Sequence, residues 1–210
     1  MTACVQRVSP VSGKDTVVVR AGESRWEIAR AAAEALRLGP GVFLTPDLRR
    51  RLEAAGARRA AAARALRALR RRPRTEFEVR RELERAGFAP EITASVLAEL
   101  RLASLVDDAR WARWYVAARL AARPAGTAAL VREMRARGVP RDIAEAASRT
   151  APHAEIQRAR GAARKRLPAL RGLTRARAAG RLARFLAGRG FDADTVDAVC
   201  DELLGTAGED

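Results

Sequence analysis

Three times along this chain an apolar pair at i, i+4 spacing leads into a glycine: Val79 and Leu83 before Gly87, Leu130 and Met134 before Gly138, Leu182 and Leu186 before Gly190. The glycines lie 51 and then 52 residues apart, and a hydrophobe follows each one directly: Phe88, Val139 or Phe191. Behind it a second helical pattern opens, with Ile92 and Val96, Ile143 and Ala147, then Val196 and Cys200. The arrangement predicts a helix, a glycine C-cap in the left-handed conformation, a hydrophobic contact across the cap and another helix. A third helical stretch precedes each pair, closed in the first two units by Arg72-Pro73 and Arg123-Pro124, each proline 14 residues before its glycine. Three short helices in about 50 residues bury too little apolar surface alone, so neighbouring units must stack. The expected fold is therefore mainly α, three tandem three-helix repeats in an elongated array.

The predicted helices are 58–71, 75–86 and 90–102 in the first repeat, 108–122, 127–137 and 140–150 in the second, and 152–167, 174–188 and 193–204 in the third. Thr75 with Glu78 three residues on has the spacing of a capping box. Upstream, the β-branched runs 4–8 and 16–20 flank a polar turn and predict a small N-terminal β-hairpin. The segment 24–28 could add a strand, against a helical pattern over 27–36. Gly39-Pro40-Gly41 breaks the chain, after which Thr45-Pro46-Asp47 supplies an N-cap, a first-turn proline and a first-turn acid for a helix to about residue 55. These boundaries give an extension at 1–57 (hairpin plus helices), repeats at 58–106, 107–151 and 152–205, and a disordered tail at 206–210.

Aromatic residues make up 4% of the chain, so Leu, Ala and Val must fill thin, local cores. The formal net charge is +16, which favours a polyanionic or acidic partner. Of the 41 basic residues only Lys14 and Lys165 are lysine, and with the abundant alanine this reflects in part a GC-rich coding bias. Cys4 and Cys200 stand near opposite ends and form no disulfide framework, and a reducing cytoplasm is the simpler location. The first residues carry no signal-peptide pattern, and no run approaches the ~18 apolar residues of a membrane span.

Catalytic and cofactor chemistry find no foothold. His153 is the single histidine, so no histidine pair can hold a metal or relay a proton. Gly13-Lys14 lacks the glycine of a phosphate loop, because Val8 stands at that position. Asp107-Asp108 would need further oxygen ligands to bind a metal, whereas capping of the following helix needs nothing else. No catalytic, cofactor or metal residue is assigned. Two basic tracts remain: Arg67, Arg70, Arg71 and Arg74 in the first repeat, and Arg164, Lys165, Arg166, Arg177 and Arg181 in the third, where no acid occurs between Gln157 and Arg189. On the helix between them, Trp111 reads as core. Trp114 and Tyr115, interleaved with Arg113 and Arg119, are candidates to anchor a partner or stack a base.

The ordered string Arg72-Pro73-Arg74-Thr75-Glu76, Val79, Leu83, Ala86-Gly87-Phe88, Leu97, Leu100 and Val106-Asp107-Asp108-Ala109-Arg110-Trp111-Ala112 resembles the RecX family, regulators of the bacterial RecA recombinase. Arg119, Pro124-Ala125-Gly126, Leu130, Glu133-Met134, Arg137-Gly138-Val139 and Ile143 continue the likeness, which covers about residues 60 to 200. It implies tandem three-helix units lying in the groove of the RecA nucleoprotein filament, inhibition of its recombinase, ATPase and coprotease activities in DNA repair and the SOS response, and no enzymatic activity. The implied partners are the RecA filament and single-stranded DNA, with double-stranded DNA as a further candidate, and no membrane; the protein is expected to be a monomer. The competing reading from charge alone is a stand-alone basic helical DNA-binding or architectural protein.

Overall fold

The computed structural model describes residues 3–149 and 152–205; Thr150, where one helix was expected to end, and the tail 206–210 lie outside the described residues. The chain divides into two compact units, one of residues 1–74 with 78–106, the other of residues 75–77 with 107–210.

The first unit opens with three antiparallel strands in the order β1-β2-β3: β1 (Arg7–Pro10), β2 (Thr16–Ala21) and β3 (Ser24–Ala29). The hairpin of the sequence reading is thus a three-stranded sheet, and helix α1 (Arg30–Ala35) starts later than residue 27. Pairing decides this. In the register Val17↔Ile28 and Val19↔Trp26, Ile28 is fully buried beside Val17 and Val19, a gain that helix propensity over 27–29 does not match. Pro10 joins β1, which it can do because that strand is an edge. Cys4 lies outside the strands, in an isolated bridge to Phe43.

Helix α2 (Pro46–Arg71) runs through Gly56, where separate helices had been expected. One interior glycine costs about 1 kcal/mol relative to alanine, too little to break a helix anchored on both sides of it. Thr45 Oγ1 caps the start by accepting from Leu48 N at 3.1 Å. Leu52 closes the core beneath the sheet, with Val5, Val19, Ile28 and Leu44. Ala61 and Ala65, further along the same helix, enter a second core with Val79 and Leu83 of α3 (Glu76–Arg85) and Val96, Leu97 and Leu100 of α4 (Pro90–Leu102).

The second unit holds the other two helix triplets. Helices α5 (Asp108–Ala122), α6 (Thr127–Arg135) and α7 (Arg141–Ser148) enclose Trp111, Val116, Leu130, Met134 and Ala144. Helices α8 (Pro152–Arg166), α9 (Arg175–Ala187) and α10 (Ala193–Leu204), with a short 3-10 turn at Leu167–Leu170, enclose Ala159, Ala163, Leu182, Leu186, Val196 and Val199. No helix among the described residues is long and apolar enough to cross a membrane.

The repeat glycines take the predicted role. Gly87, Gly138 and Gly190 have φ of 82°, 78° and 77°. The N–H after each reaches back to the carbonyl of the second apolar residue: Phe88 to Leu83 at 3.3 Å, Val139 to Met134 at 3.2 Å and Phe191 to Leu186 at 3.4 Å. This is a Schellman closure, which only a left-handed residue at the glycine position permits. Within the second unit two of the turns are also contact surfaces. A Cβ on Gly138 would overlap the side chain of Phe77, and one on Gly190 would overlap Ala129. The same register recurs in the hydrogen bonds: Thr75 Oγ1 donates to the Arg137 carbonyl at 2.7 Å, and Gly126 N donates to the Arg189 carbonyl at 2.9 Å.

Candidate partner-binding surface

Helix α2 turns Ala61, Ala65 and Ala68 inward, which leaves its arginines on the outer face. About half of that tract is neutralised at once. Arg58 pairs with Glu99, Arg64 with Glu82 at 2.9 Å, Arg72 with Glu78 at 2.9 Å, and the half-buried Arg74 lies 3.8 Å from Glu82. Arg67, Arg70 and Arg71 are exposed and form no ion pair among the described residues. Of the four candidates on this tract, Arg74 is therefore the one spent on the fold.

On α5 the candidates separate in the same way. Trp111 is buried, and Tyr115 stacks on it at 5.0 Å between ring centroids and 10° between planes. The Tyr115 hydroxyl donates to Glu133 Oε2 at 2.6 Å and accepts from Arg137 at 3.0 Å, while Arg119 donates to both Glu133 oxygens at 3.0 and 3.3 Å. Burial opposes the charge on Glu133, but hydrogen bonds from Tyr115 and Arg119 and the fields of Arg119 and Arg137 outweigh it and hold the carboxyl below its ordinary range. Burial first, and the Glu133 contact next, push the Tyr115 phenol up. Tyr115 and Arg119 are thus tied into the second unit. Trp114, half exposed and 6.3 Å from Trp111, and the exposed Arg113 remain open to a partner.

The third basic region is the densest. Helix α9 buries Ala178, Leu182 and Leu186, so Arg177, Arg181 and Arg184 run along its exposed side. Arg164, Lys165 and Arg166 are exposed at the end of α8. Around the ring of Phe185 the guanidinium groups of Arg189 and Arg166 sit at 3.7 and 5.5 Å. Desolvation and then repulsion from Arg123, Arg166 and Arg119 lower the pKa of Arg189. Four arginines from the ends of α5, α8 and α9 thus converge, and only Arg119 has an acidic partner among the described residues. A carboxylate or phosphate entering there would relieve the repulsion and take bidentate hydrogen bonds.

Arg123 and Arg189 were absent from the sequence-based candidates. The repeat itself carried the signal: Arg189 precedes Gly190 as Arg137 precedes Gly138, and Arg123 precedes Pro124 as Arg72 precedes Pro73. A groove of about 750 Å³ runs along α6, bordered by Arg132, Arg135 and Arg141 on one hand and by Glu145, Glu155 and Asp192 on the other, so its charge is balanced. Among the described residues no group of three or more His, Cys, Asp and Glu side chains is placed to hold a metal ion. Asp107, one of the acids weighed for that role, caps α5 by accepting from Arg110 N at 2.8 Å.

Family models match this chain in three places: the RecX first three-helix domain over residues 61–100, the second over 107–147 and the third over 154–200. The regulatory protein RecX of Prosthecochloris aestuarii is 38% identical over 133 residues, 63% of this chain and 86% of that protein. The regulatory protein RecX of Amycolatopsis mediterranei is 36% identical over 134 residues, 63% of this chain and 77% of that protein. Among solved structures, a crystal structure of regulatory protein RecX superposes with a TM-score of 0.82 at 20% identity, covering 95% of this chain and 99% of the other. RecX from Lactobacillus salivarius gives a TM-score of 0.67 at 20% identity, covering 70% and 96%. These two likenesses concern the fold.

Proposed function

The chain belongs to the RecX family of regulatory proteins, and from that premise we propose that it acts on the RecA recombinase. In this reading it lies as a monomer in the groove of the RecA filament on DNA, in the cytoplasm. It touches neighbouring protomers through successive helix triplets and inhibits strand exchange, ATP hydrolysis and coprotease activity. Several weak contacts along one filament raise the effective concentration of each next contact, so no single large interface is required. A ligand that prefers one filament state shifts the population toward it, which is sufficient for inhibition.

The observation that carries this reading is the pairing of Arg166 and Arg189 on the ring of Phe185, with Arg123 close enough for its charge to act on Arg189. Such a set is repulsive in isolation and becomes favourable against acidic side chains or phosphates, both of which a nucleoprotein filament presents. Trp114 and Arg113 supply an exposed aromatic and a charge on α5 as a second contact. The test is RecA ATP hydrolysis on single-stranded DNA, with the protein added before or after filament formation. Stronger inhibition on early addition indicates blocked assembly, and equal inhibition indicates action on formed filaments. Variants R164E/K165E/R166E and W114A should inhibit more weakly while remaining helical by circular dichroism. If they inhibit like the parent, this surface is the wrong one. A protein that leaves RecA hydrolysis untouched but binds DNA with a steep salt dependence would be the stand-alone DNA-binding protein instead.

A further inference from the structure

The N-terminal sheet presents one row of like charges across all of its strands. Arg7 pairs with Arg20, and Arg20 pairs with Arg25, so the three residues stand directly opposite one another on β1, β2 and β3. All three are exposed, on the face opposite to the buried Val17, Val19 and Ile28. Like charges directly opposite in a ladder destabilise a sheet. No ion pair among the described residues offsets them: Glu27, two positions along the same face, is engaged by Arg59 at 3.7 Å, and Asp15 by Arg30 at 3.4 Å. The positive track continues past the edge strand. Arg25 shares a groove of about 640 Å³ with Lys14, Arg59 and Arg67, against Glu27 and Glu53. Beyond Arg67 the exposed side of α2 carries the unpaired Arg70 and Arg71.

We propose that the Arg7–Arg20–Arg25 row is a contact site for a nucleic-acid phosphate backbone, with the groove to Arg67 as its continuation. Strands spaced about 4.8 Å apart put three guanidinium groups within roughly 10 Å. Over that length a duplex strand presents about three phosphates, at 3.4 Å of axial rise each. Neighbouring residues on that face are Ser9, Val18 and Glu27, which give no apolar core of the kind a protein interface needs and no side chain placed to read bases. The site is therefore sequence-independent, and it belongs to a different unit from the arginine cluster at Phe185.

The experiment uses the full chain without RecA, so its outcome is separate from that of the filament reading. Binding of labelled single-stranded and duplex oligonucleotides is followed by anisotropy over a salt series, for the parent, R7Q/R20Q/R25Q and R7K/R20K/R25K. The glutamine variant should bind roughly 10- to 100-fold more weakly near 0.1 M salt, with a slope of log Kd against log salt shallower by about 2 on single strands and about 3 on duplex. The lysine variant should keep most of both, because backbone contact needs charge more than fork geometry. Removing the repulsion should leave the melting temperature unchanged or raised, so weakened binding cannot be ascribed to unfolding. Unchanged affinity and slope in the glutamine variant would overturn the proposal. So would unchanged DNA binding with weakened association to RecA filaments, which would make the row a protein contact.

Discussion

Glu155, in the first turn of α8, accepts hydrogen bonds from both the backbone nitrogen of Thr127 at 2.8 Å and its hydroxyl at 2.6 Å, at the start of α6. One helix thus caps another. The arrangement recurs within the same unit, where Asp108 in the first turn of α5 accepts from Glu76 N at 2.8 Å at the start of α3. A helix N-terminus leaves backbone donors without intrahelical partners, and a carboxylate there meets both the donors and the positive end of the helix dipole. Glu155 is buried, so its removal strands the Thr127 donors. Glu155→Ala should lower unfolding stability by about 2–3 kcal/mol, with Glu155→Gln closer to the parent. A urea titration followed by circular dichroism measures this, and an unchanged midpoint for the alanine variant would refute the capping role.

The three repeat glycines should respond unequally to alanine. At Gly87 nothing lies within reach of an added Cβ, so only the left-handed backbone is strained, a cost of about 1–2 kcal/mol. At Gly190 the same backbone penalty is joined by overlap with Ala129, which adds about 1–3 kcal/mol. Gly190→Ala should therefore lower the denaturation midpoint clearly more than Gly87→Ala. Equal midpoints would mean that the turn relaxes away from Ala129.

The part of the fold written in local pattern was readable from sequence: α4, α5 and α10 span the predicted 90–102 and 108–122 and end at the predicted 204, because caps and the 3.6-residue period act within one helix. What depended on distant partners was not. Strand β3 exists because Ile28 finds Val17, and helix α2 continues through Gly56 because Leu52 and Ala61 are anchored in different cores. The surface candidates divide along the same line. Arg67 and Arg119 look alike in sequence, yet only the second meets a carboxylate, Glu133, 14 residues away. Arg189 was not among the candidates read from sequence, because its weight comes from Arg123 and Arg166 arriving from other helices.

Glu133 should impose an acid dependence on stability. Its carboxyl is held below the ordinary glutamate range near 4.5, so the stabilisation is fully present above that range and is lost as pH falls through the depressed folded value. Glu133→Gln should be less stable than the parent at neutral pH by about 1–2 kcal/mol, and the gap should close on acidification. Melting temperatures between pH 7 and 3 check this. Tyr115, with its pKa raised, acts at the other end: its contribution is present below the ordinary phenol value and is lost as pH rises through the folded one. Tyr115→Phe should flatten that alkaline limb and also shrink the acid limb, because the lost hydroxyl donates one of the hydrogen bonds that hold the Glu133 carboxyl down, leaving Arg119 and Arg137 to supply the remainder.

Arg123 offers a separation of stability from function. It is exposed, it ends α5, and it forms no ion pair among the described residues, yet its charge bears on Arg189. Neutralising it removes repulsion inside the cluster and breaks no side-chain hydrogen bond or ion pair among the described residues, so Arg123→Gln should melt at the parent temperature or slightly above. If an acidic or phosphate group of the RecA filament enters the cluster, the same variant loses one of its binding charges. Half-maximal inhibition of RecA ATP hydrolysis should then require about 5- to 10-fold more protein. Arg189→Gln is the less clean counterpart, because the guanidinium also packs over Phe185 at 3.7 Å, a contact that stabilises by about 0.5–2 kcal/mol. That variant should lose inhibition without the compensating gain in melting temperature. A destabilised Arg123→Gln with undiminished inhibition would show that the cluster serves the fold and that the partner binds elsewhere.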